Sequence, residues 1–333
     1  MMDAEFSFCY TKNHMEEAIR NFPRQFAWDP KIENEAKLPK LERYIVAGMG
    51  GSHLQGDILN AVAPESNLFI HRDYGLPSLT KEDLSRYLFI ASSYSGNTEE
   101  TISAFRDALQ RGMSVAAISK GGLLLELAEY HHVPYIKIPD TGIQPRMALG
   151  FAFRALAKMI RREDLLESSG KLAFELKAED YEEQGRRLGK TLHGKVPVIY
   201  ASQKNYAAAY IWKAKLNEGA KIPAFFNVFP ELNHNEMEGF SVKASTVSSA
   251  FHFVFLKDSN DHLRIQKRMD VTERLYKANG LGVSLLGLEG RTAVHKIFSS
   301  LLVADWTACE LALQYGVDAE QAVMVEEFKK RIS

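Results

Sequence analysis

The chain of 333 residues contains only two cysteines, Cys9 and Cys309, which lie far apart and lack the spacing of metal ligands. Two such residues form neither a disulfide framework nor a zinc ribbon, and they fit a reducing compartment such as the cytoplasm. A charge excess is also lacking, since 41 Lys and Arg balance 42 Asp and Glu for a formal net charge of −1. The composition therefore gives no sign of a nucleic-acid-binding surface or of an acidic disordered tail.

Long hydrophobic runs are absent as well. No apolar run approaches the ~20 residues that a membrane-spanning helix needs. The first six residues, MMDAEF, lack the basic region and the apolar core of a signal peptide. What remains is a composition of 46% hydrophobic and 25% charged residues, which is typical of a soluble globular protein.

Short β-rich runs alternate with helical stretches twice along the chain. The first half contains predicted strands at 43–47, 67–70, 87–91, 114–118 and 133–138, and predicted helices at 54–63, 98–111, 123–131 and 147–162. The second half contains predicted strands at 196–200, 224–228, 248–256 and 282–288, and predicted helices at 206–218, 261–278 and 293–315. Apolar strands that alternate with helices are typical of a parallel sheet covered on both faces.

We therefore predict an α/β fold with two doubly wound parallel-sheet domains. The first domain is expected over residues 1–162, including an N-terminal helical extension, and the second over residues 196–333. The intervening segment 163–195 is rich in charge and poor in β-branched residues, so it is predicted to be a helical connection.

A glycine-rich turn, GMGGSH at residues 48–53, follows the first predicted strand and precedes a helix. Such a turn lets the backbone approach a ligand closely, and the N-terminus of the helix favours an anion. The turn lacks the third glycine of a dinucleotide fingerprint and the Gly-Lys-Ser/Thr of a Walker loop. Taken alone, it fits either an anion-binding turn or an ordinary tight turn.

A second polar loop, SSYSGNT at residues 92–98, follows a predicted central strand, at the edge where open α/β sheets bind ligands. Helix capping would account for one or two of its hydroxyl groups. It would not account for Ser93, Ser95 and Thr98 together, so a phosphate site is the better interpretation. Because the loop brings no lysine, a single phosphomonoester such as a sugar phosphate fits better than a nucleoside triphosphate.

These loops, GGS at 50–52 and SYSGNTEET at 93–101, resemble those of the sugar isomerase (SIS) domain. With PRMAL at 145–149 and NEGAKIPAFFNVFPELNHNE at 217–236, the chain more narrowly resembles the bifunctional phosphoglucose/phosphomannose isomerases. That family has two SIS domains, which would cover almost the whole chain. The resemblance implies an aldose–ketose isomerase of carbohydrate metabolism that needs neither cofactor nor metal. It would interconvert glucose 6-phosphate, and also mannose 6-phosphate, with fructose 6-phosphate through a cis-enediol intermediate.

Isomerisation needs a base, a ring-opening group and positive charge near the enediolate. Glu218 ends a predicted helix, where the helix dipole disfavours a carboxylate charge and so suits a proton acceptor, although most glutamates are simply solvated. His234 lies in a polar loop, and an imidazole exchanges protons near neutral pH. The sequence from His234 to Glu236 faintly resembles a zinc-deaminase motif, but its cysteines are missing, so we reject a metal site. Arg146 could stabilise oxyanion charge or be a surface cation.

The resemblance assigns these roles residue by residue. It implies Glu218 as the base between C1 and C2, His234 as the ring-opening residue and Arg146 as the group that stabilises the enediolate. It implies a phosphate site formed by Gly51, Ser52, Ser93, Ser95 and Thr98. A C-terminal lysine of the family corresponds to Lys329 in FKKRI, with Lys330 left open. The resemblance also implies a homodimer in which His234 comes from the neighbouring subunit.

The chain departs from the family pattern in two segments. The first loop continues as GGSHLQGD where the family usually has GGSAIGGD, and we expect His53 and Gln55 to point into or along the helix. The sequence DAEQ at 318–321 replaces the family's DPTP, which leaves the use of mannose 6-phosphate open. Two alternatives remain: another phosphosugar isomerase, acting on an amino sugar or a pentose phosphate, and a sugar-phosphate sensor without turnover. A sugar-phosphate regulator usually carries a DNA-binding segment, and we find no basic helix-turn-helix segment in this sequence, which favours catalysis.

Overall fold

The structure is a computed structural model that describes residues 14–242 and 247–332. Over these ranges the chain forms two compact units, one of residues 22–176 and one of residues 177–332 together with 14–21. Each unit contains one sheet in which every pair of neighbouring strands is parallel. The predicted α/β class with two parallel sheets is confirmed.

The unit of residues 22–176 has a five-stranded sheet in the order β2-β1-β3-β4-β5. Its strands are β1 Tyr44–Ala47, β2 Leu68–His71, β3 Leu88–Ser92, β4 Ser114–Ser119 and β5 Tyr135–Lys137. Its helices are α1 Leu54–Val62, α2 Lys81–Leu84, α3 Glu99–Gln110, α4 Gly122–Tyr130, α5 Leu149–Met159, α6 Glu163–Gly170 and α7 Leu172–Glu175. All five residues of β3 are buried, because helices cover a central strand on both faces. This is why the strand appears in the sequence as a continuous apolar run.

The second unit has a four-stranded sheet in the order β7-β6-β8-β9, which repeats the arrangement of the first four strands of the other unit. Its strands are β6 Val196–Ser202, β7 Phe225–Phe229, β8 Phe251–Lys257 and β9 Gly282–Gly287. Its helices are α8 Glu182–Leu192, α9 Tyr206–Gly219, α10 Leu263–Ala278, α11 Ala293–Tyr315 and α12 Val323–Ile332. An aromatic core of Tyr200, Phe229, Phe253, Phe255 and Tyr276 lies on one face of this sheet.

The two units are divided differently from our prediction, which placed a helical connection at 163–195. Helices α6 and α7 belong to the first unit, where Arg154 donates hydrogen bonds to the Leu166 carbonyl and the Ser169 hydroxyl. Residues 177–195 belong to the second unit, and so does the helical segment 14–21. Arg20 of that segment donates to Glu182 at 2.7 Å. Arg20 and Glu182 lie 162 residues apart in sequence, so local composition did not reveal their contact.

The structure bears on the membrane prediction, whereas the reducing compartment stays a prediction. Cys309 is a free, buried thiol, and burial raises its pKa to about 12, whereas Cys9 lies outside the described residues. Over the described ranges, no helix combines the length and the apolar character needed to cross a membrane.

Candidate functional site

The loops after β1 and β3 lie at the point where the strand order of the first sheet reverses. The chain runs from β1 outward to β2 and then returns to place β3 on the other side of β1. In open parallel sheets, a crevice forms at the carboxyl ends of the strands at such a reversal, and ligands bind there. The two polar loops singled out in the sequence therefore lie side by side at the expected ligand edge.

In the first loop, Gly48 and Met49 lead into a 3-10 turn, Gly50–Ser52, directly before α1. Gly51 packs against the backbone, since a Cβ atom there would lie 3.0 Å from the carbonyl carbon of Pro145 and 3.1 Å from the amide nitrogen of Arg146. A side chain at this position would push the two segments apart. The glycine is therefore required for close approach of the segment that carries Arg146.

The second loop is stabilised internally by its own hydroxyl groups. The hydroxyl groups of Ser93 and Thr98 share a hydrogen bond of 2.9 Å, and Ser93 Oγ also accepts one from the Gly96 amide at 3.0 Å. Gly96 has φ +74, and a Cβ atom there would lie 1.7 Å from the carbonyl oxygen of Gly121. Both the backbone conformation and the available space therefore require glycine at this turn.

The capping alternative for these hydroxyl groups is not realised. Thr98 is the residue before α3, but its side chain makes no capping hydrogen bond. Ser93 is fully buried and Ser95 is exposed, with its Oγ accepting only a long 3.3 Å bond from the amide of Asn97. These hydroxyl groups therefore serve the geometry of the loop, and Ser95 keeps donor capacity towards solvent.

Three hydrogen bonds join the loops to one another, one directly and two through Gln55. Ser52 Oγ accepts a bond of 2.8 Å from the backbone amide of Tyr94. Gln55, fully buried on α1, donates from Nε2 to the carbonyl oxygen of Ser52 at 2.6 Å and to Ser92 Oγ at 2.8 Å. Sequence reasoning missed the role of Gln55, although its departure from the family pattern was a visible signal. His53, by contrast, points along the helix as expected and binds Asp57.

Arg146 lies beside the first loop in a one-turn 3-10 helix, Pro145–Met147, and is only 3% exposed. The buried side chain of Gln25 fixes the position of this turn. Its Nε2 donates to the carbonyl oxygen of Met147 at 2.6 Å, and its Oε1 accepts from the amide of Gly150 at 3.0 Å. The first unit therefore brings Gly51, Ser52, Ser93, Ser95, Thr98 and Arg146 to one edge of its sheet, or directly against the loops of that edge.

Glu218, His234 and Lys329 all belong to the second unit. Helix α9 ends at Gly219, as the sequence predicted, so Glu218 lies in its last turn and is half-buried. The following chain is held in place by Asn217, whose Nδ2 donates to the carbonyl oxygen of Ile222 at 2.9 Å. Lys329 is exposed on α12 and ion-pairs with Glu326 at 2.9 Å.

His234 ends a 3-10 turn, Glu231–His234, and its side chain is exposed. The loop that carries it is fixed by Glu236, whose carboxylate accepts hydrogen bonds from the hydroxyl of Tyr200 and the amide of Asn227. Burial, with the nearby Tyr276 and Glu236, raises the pKa of Tyr200, so this hydroxyl remains a donor at physiological pH. Sequence reasoning did not identify Glu236 as an anchor of this loop.

The segment 318–321, which departs from the family pattern, forms a turn between α11 and α12. The carboxylate of Asp318 accepts hydrogen bonds from the backbone amides of Glu320 and Gln321, the first at 2.7 Å. Across the described ranges, no three His, Cys, Asp or Glu side chains are grouped as a metal site would require.

The two parallel sheets with their covering helices define a class of fold, the SIS-type α/β proteins. Residues 181–332 match the family described as the bacterial phospho-glucose isomerase C-terminal SIS domain. A solved structure similar in fold is the C-terminal domain of glucosamine-fructose-6-phosphate aminotransferase from Francisella tularensis, with a TM-score of 0.67 and 15% identity over 94% of this chain and 98% of that one.

Two relatives are similar over most of their length. The bifunctional phosphoglucose/phosphomannose isomerase of Caldicellulosiruptor bescii is 34% identical over 96% of this chain and 99% of its own. The protein of the same name from Thermoplasma acidophilum is 35% identical over 87% of this chain and 89% of its own. The chain belongs to the family of bifunctional phosphoglucose/phosphomannose isomerases, which confirms the resemblance found in its sequence.

Proposed function

We propose that this protein interconverts glucose 6-phosphate and mannose 6-phosphate with fructose 6-phosphate. The observation that carries the proposal is the pair of loops after β1 and β3, which hydrogen bonds join through Ser52 and Gln55 at the ligand edge of the sheet. Two family relatives with names of this activity support the choice of substrates.

The substrate phosphate binds in the cradle formed by Gly51, Ser52, Ser93, Ser95 and Thr98. The exposed hydroxyl of Ser95 can donate to it, and the buried hydroxyl of Ser93 holds the loop in shape. The backbone amides of a glycine-rich turn before a helix, together with neutral hydroxyl groups, suit a phosphomonoester. The loops themselves bring no lysine and no carboxylate for Mg²⁺, which a nucleoside triphosphate would call for.

Glu218 removes the proton from C2 of the open-chain aldose and returns it to C1, so that a cis-enediolate is the intermediate. The guanidinium of Arg146 stabilises the negative charge that develops on the enediolate oxygens. His234 opens the sugar ring by giving a proton to the ring oxygen as the hydroxyl on C1 loses its own. Lys329, or Lys330 beside it, adds positive charge to the site. A positioned acid or base typically contributes about 10²–10⁴-fold to the rate.

We further propose that the protein acts in the cytoplasm as a homodimer and that each active site takes His234 from the neighbouring subunit. The exposed position of His234, on a loop tied down by Glu236, supports such a contribution. Mixed dimers of a Glu218→Gln subunit and a His234→Ala subunit test it. One of their two sites then combines an intact Glu218 with an intact His234, so activity returns on mixing. No recovery would show that both residues act within one subunit.

The decisive experiment measures turnover of glucose 6-phosphate and of mannose 6-phosphate separately, without added metal and with EDTA. Activity on both substrates is expected. Activity on glucose 6-phosphate alone would indicate that the turn fixed by Asp318 restricts the C2 epimer. Activity on neither substrate would favour an amino-sugar isomerase or a sugar-phosphate sensor instead.

A further inference from the structure

Gln55 occupies an unusual place in the first unit. It is in the first turn of α1, two residues after the glycine-rich loop, and its side chain is fully buried. Glutamine is rarely buried without a purpose, because each of its polar atoms then needs a partner.

The amide of Gln55 spans the two loops of the candidate phosphate site. One Nε2 hydrogen bond reaches the carbonyl oxygen of Ser52 in the first loop, and the other reaches Ser92 Oγ at the end of β3. Both bonds are short, at 2.6 and 2.8 Å, and both come from a single rigid group. One planar amide therefore connects the two loops, beside the direct bond between Ser52 Oγ and the Tyr94 amide.

The oxygen atom of the same amide group, in contrast, costs free energy. The Oε1 atom of Gln55 is buried and has no hydrogen-bond partner among the residues that the structure describes. A buried polar atom left unpaired costs free energy, roughly 1–3 kcal/mol. An apolar residue of the same length would avoid this cost but would give up the two Nε2 hydrogen bonds, so the net contribution of glutamine to stability is small.

We infer that Gln55 is a positioning residue that sets the spacing of the two phosphate-binding loops before the substrate binds. The inference rests on the proposed function, in that these loops hold the substrate phosphate. Ser52, one of the proposed phosphate-binding residues, accepts a bond from Gln55 at its carbonyl and another from the Tyr94 amide of the second loop at its hydroxyl. A cradle fixed in this way loses little conformational freedom on binding, which strengthens the affinity for the phosphate.

The test compares Gln55→Met with Asn60→Leu. Methionine keeps the length of the glutamine side chain but lacks N–H donors, and it fills irregular space well. Asn60 is a matched control, since it is also an amide on α1 but donates at 3.1 Å to the carbonyl oxygen of Leu68, in β2 and not in either loop. The probe is sorbitol 6-phosphate, which has the phosphate of the substrate but no carbonyl to isomerise. Calorimetry gives its Kd, and thermal unfolding gives the Tm.

For Gln55→Met we expect the Kd of sorbitol 6-phosphate to rise about tenfold, equivalent to about 1.4 kcal/mol. The KM for glucose 6-phosphate should rise by a similar factor while kcat changes little. The Tm should change little, because the loss of the two Nε2 hydrogen bonds is offset by removal of the unpaired Oε1 atom. Asn60→Leu should leave both Kd and KM unchanged.

Three results would overturn the inference. If Gln55→Met binds the probe as tightly as the wild type, the amide does not set the cradle. If its Tm falls and kcat falls with it, the role of Gln55 is only structural. If the wild-type protein itself fails to bind sorbitol 6-phosphate, the proposed phosphate site fails and the inference fails with it.

Discussion

Ser52 and Tyr94 lie 42 residues apart in the chain, yet the hydroxyl of Ser52 accepts a 2.8 Å hydrogen bond from the backbone amide of Tyr94. The two residues follow different strands, β1 and β3, which are neighbours in the sheet. This bond and the two bonds of Gln55 convert two separate loops into one cradle.

Replacing Ser52 by alanine should weaken both the fold and phosphate binding. The amide of Tyr94 is then buried without an acceptor, which costs about 1–3 kcal/mol of unfolding free energy. The KM for the sugar phosphate should rise as well, since the loops lose a mutual contact. Urea unfolding and steady-state kinetics measure the two effects. Ser85→Ala is the control, because that hydroxyl is exposed and donates to the nearby carbonyl oxygen of Glu82 in α2. Equal stability of the two variants would contradict the prediction.

Glu218→Gln should abolish isomerisation but leave substrate binding intact. The amide keeps the shape of the carboxylate and cannot accept the C2 proton, so kcat should fall by about 10²–10⁴-fold. The Kd of sorbitol 6-phosphate should stay within the error of the wild-type value. Glu183→Gln, at an exposed position on α8, should retain full activity. Substantial turnover by Glu218→Gln would remove this residue as the base.

His234→Ala should impair turnover of cyclic hexose phosphates far more than turnover of an open-chain substrate analogue. Ring opening needs a proton donor and acceptor, whereas an open-chain aldose has already passed that step. The comparison is made by measuring kcat/KM for both substrates in the variant and in the wild type. His131→Ala, another exposed histidine, should affect neither. If both substrates lose activity equally, His234 acts in some other step.

The Asp258–Lys296 pair should make stability depend on acid pH. Burial pushes the pKa of Asp258 upward, but Lys296, the Asn260 amide and Lys204 outweigh it, so the net shift is downward. A carboxyl with a lowered folded pKa stabilises the fold above its unfolded value of about 3.8, and this contribution is lost as the pH falls through the folded pKa. Lys296→Met should therefore lower the unfolding free energy at pH 7 by roughly 1–3 kcal/mol, because Lys204 and the Asn260 amide still partner Asp258.

The loss caused by Lys296→Met should shrink below about pH 4, as Asp258 becomes protonated and no longer needs a cation. Denaturant unfolding at several pH values follows this change. Lys190→Met, exposed on α8, provides the comparison and should show no such trend. If Lys296→Met loses the same unfolding free energy at pH 7 and at acid pH, then packing of the lysine side chain, and not its charge, stabilises the fold here.

The sequence alone determined the fold class and most of the elements. Apolar runs and helical periodicity are local properties, so every predicted strand corresponds to an observed one, and the predicted helix 293–315 matches α11 Ala293–Tyr315. The same local signals marked both loops, because glycine and hydroxyl residues at the end of a strand are visible without any partner. Family motifs then suggested the roles of Glu218, His234 and Arg146, which the proposed experiments test.

Only the tertiary structure decided which segments meet. The order of strands places β1 beside β3, and from this follow the contact of Ser52 with Tyr94 and the bridge made by Gln55. It also assigned the segment 14–21 to the second unit and tied the loop of His234 to Tyr200 through Glu236. A hydrogen bond between distant residues depends on how the sheet is assembled, and nothing in the local sequence of either partner specifies the other.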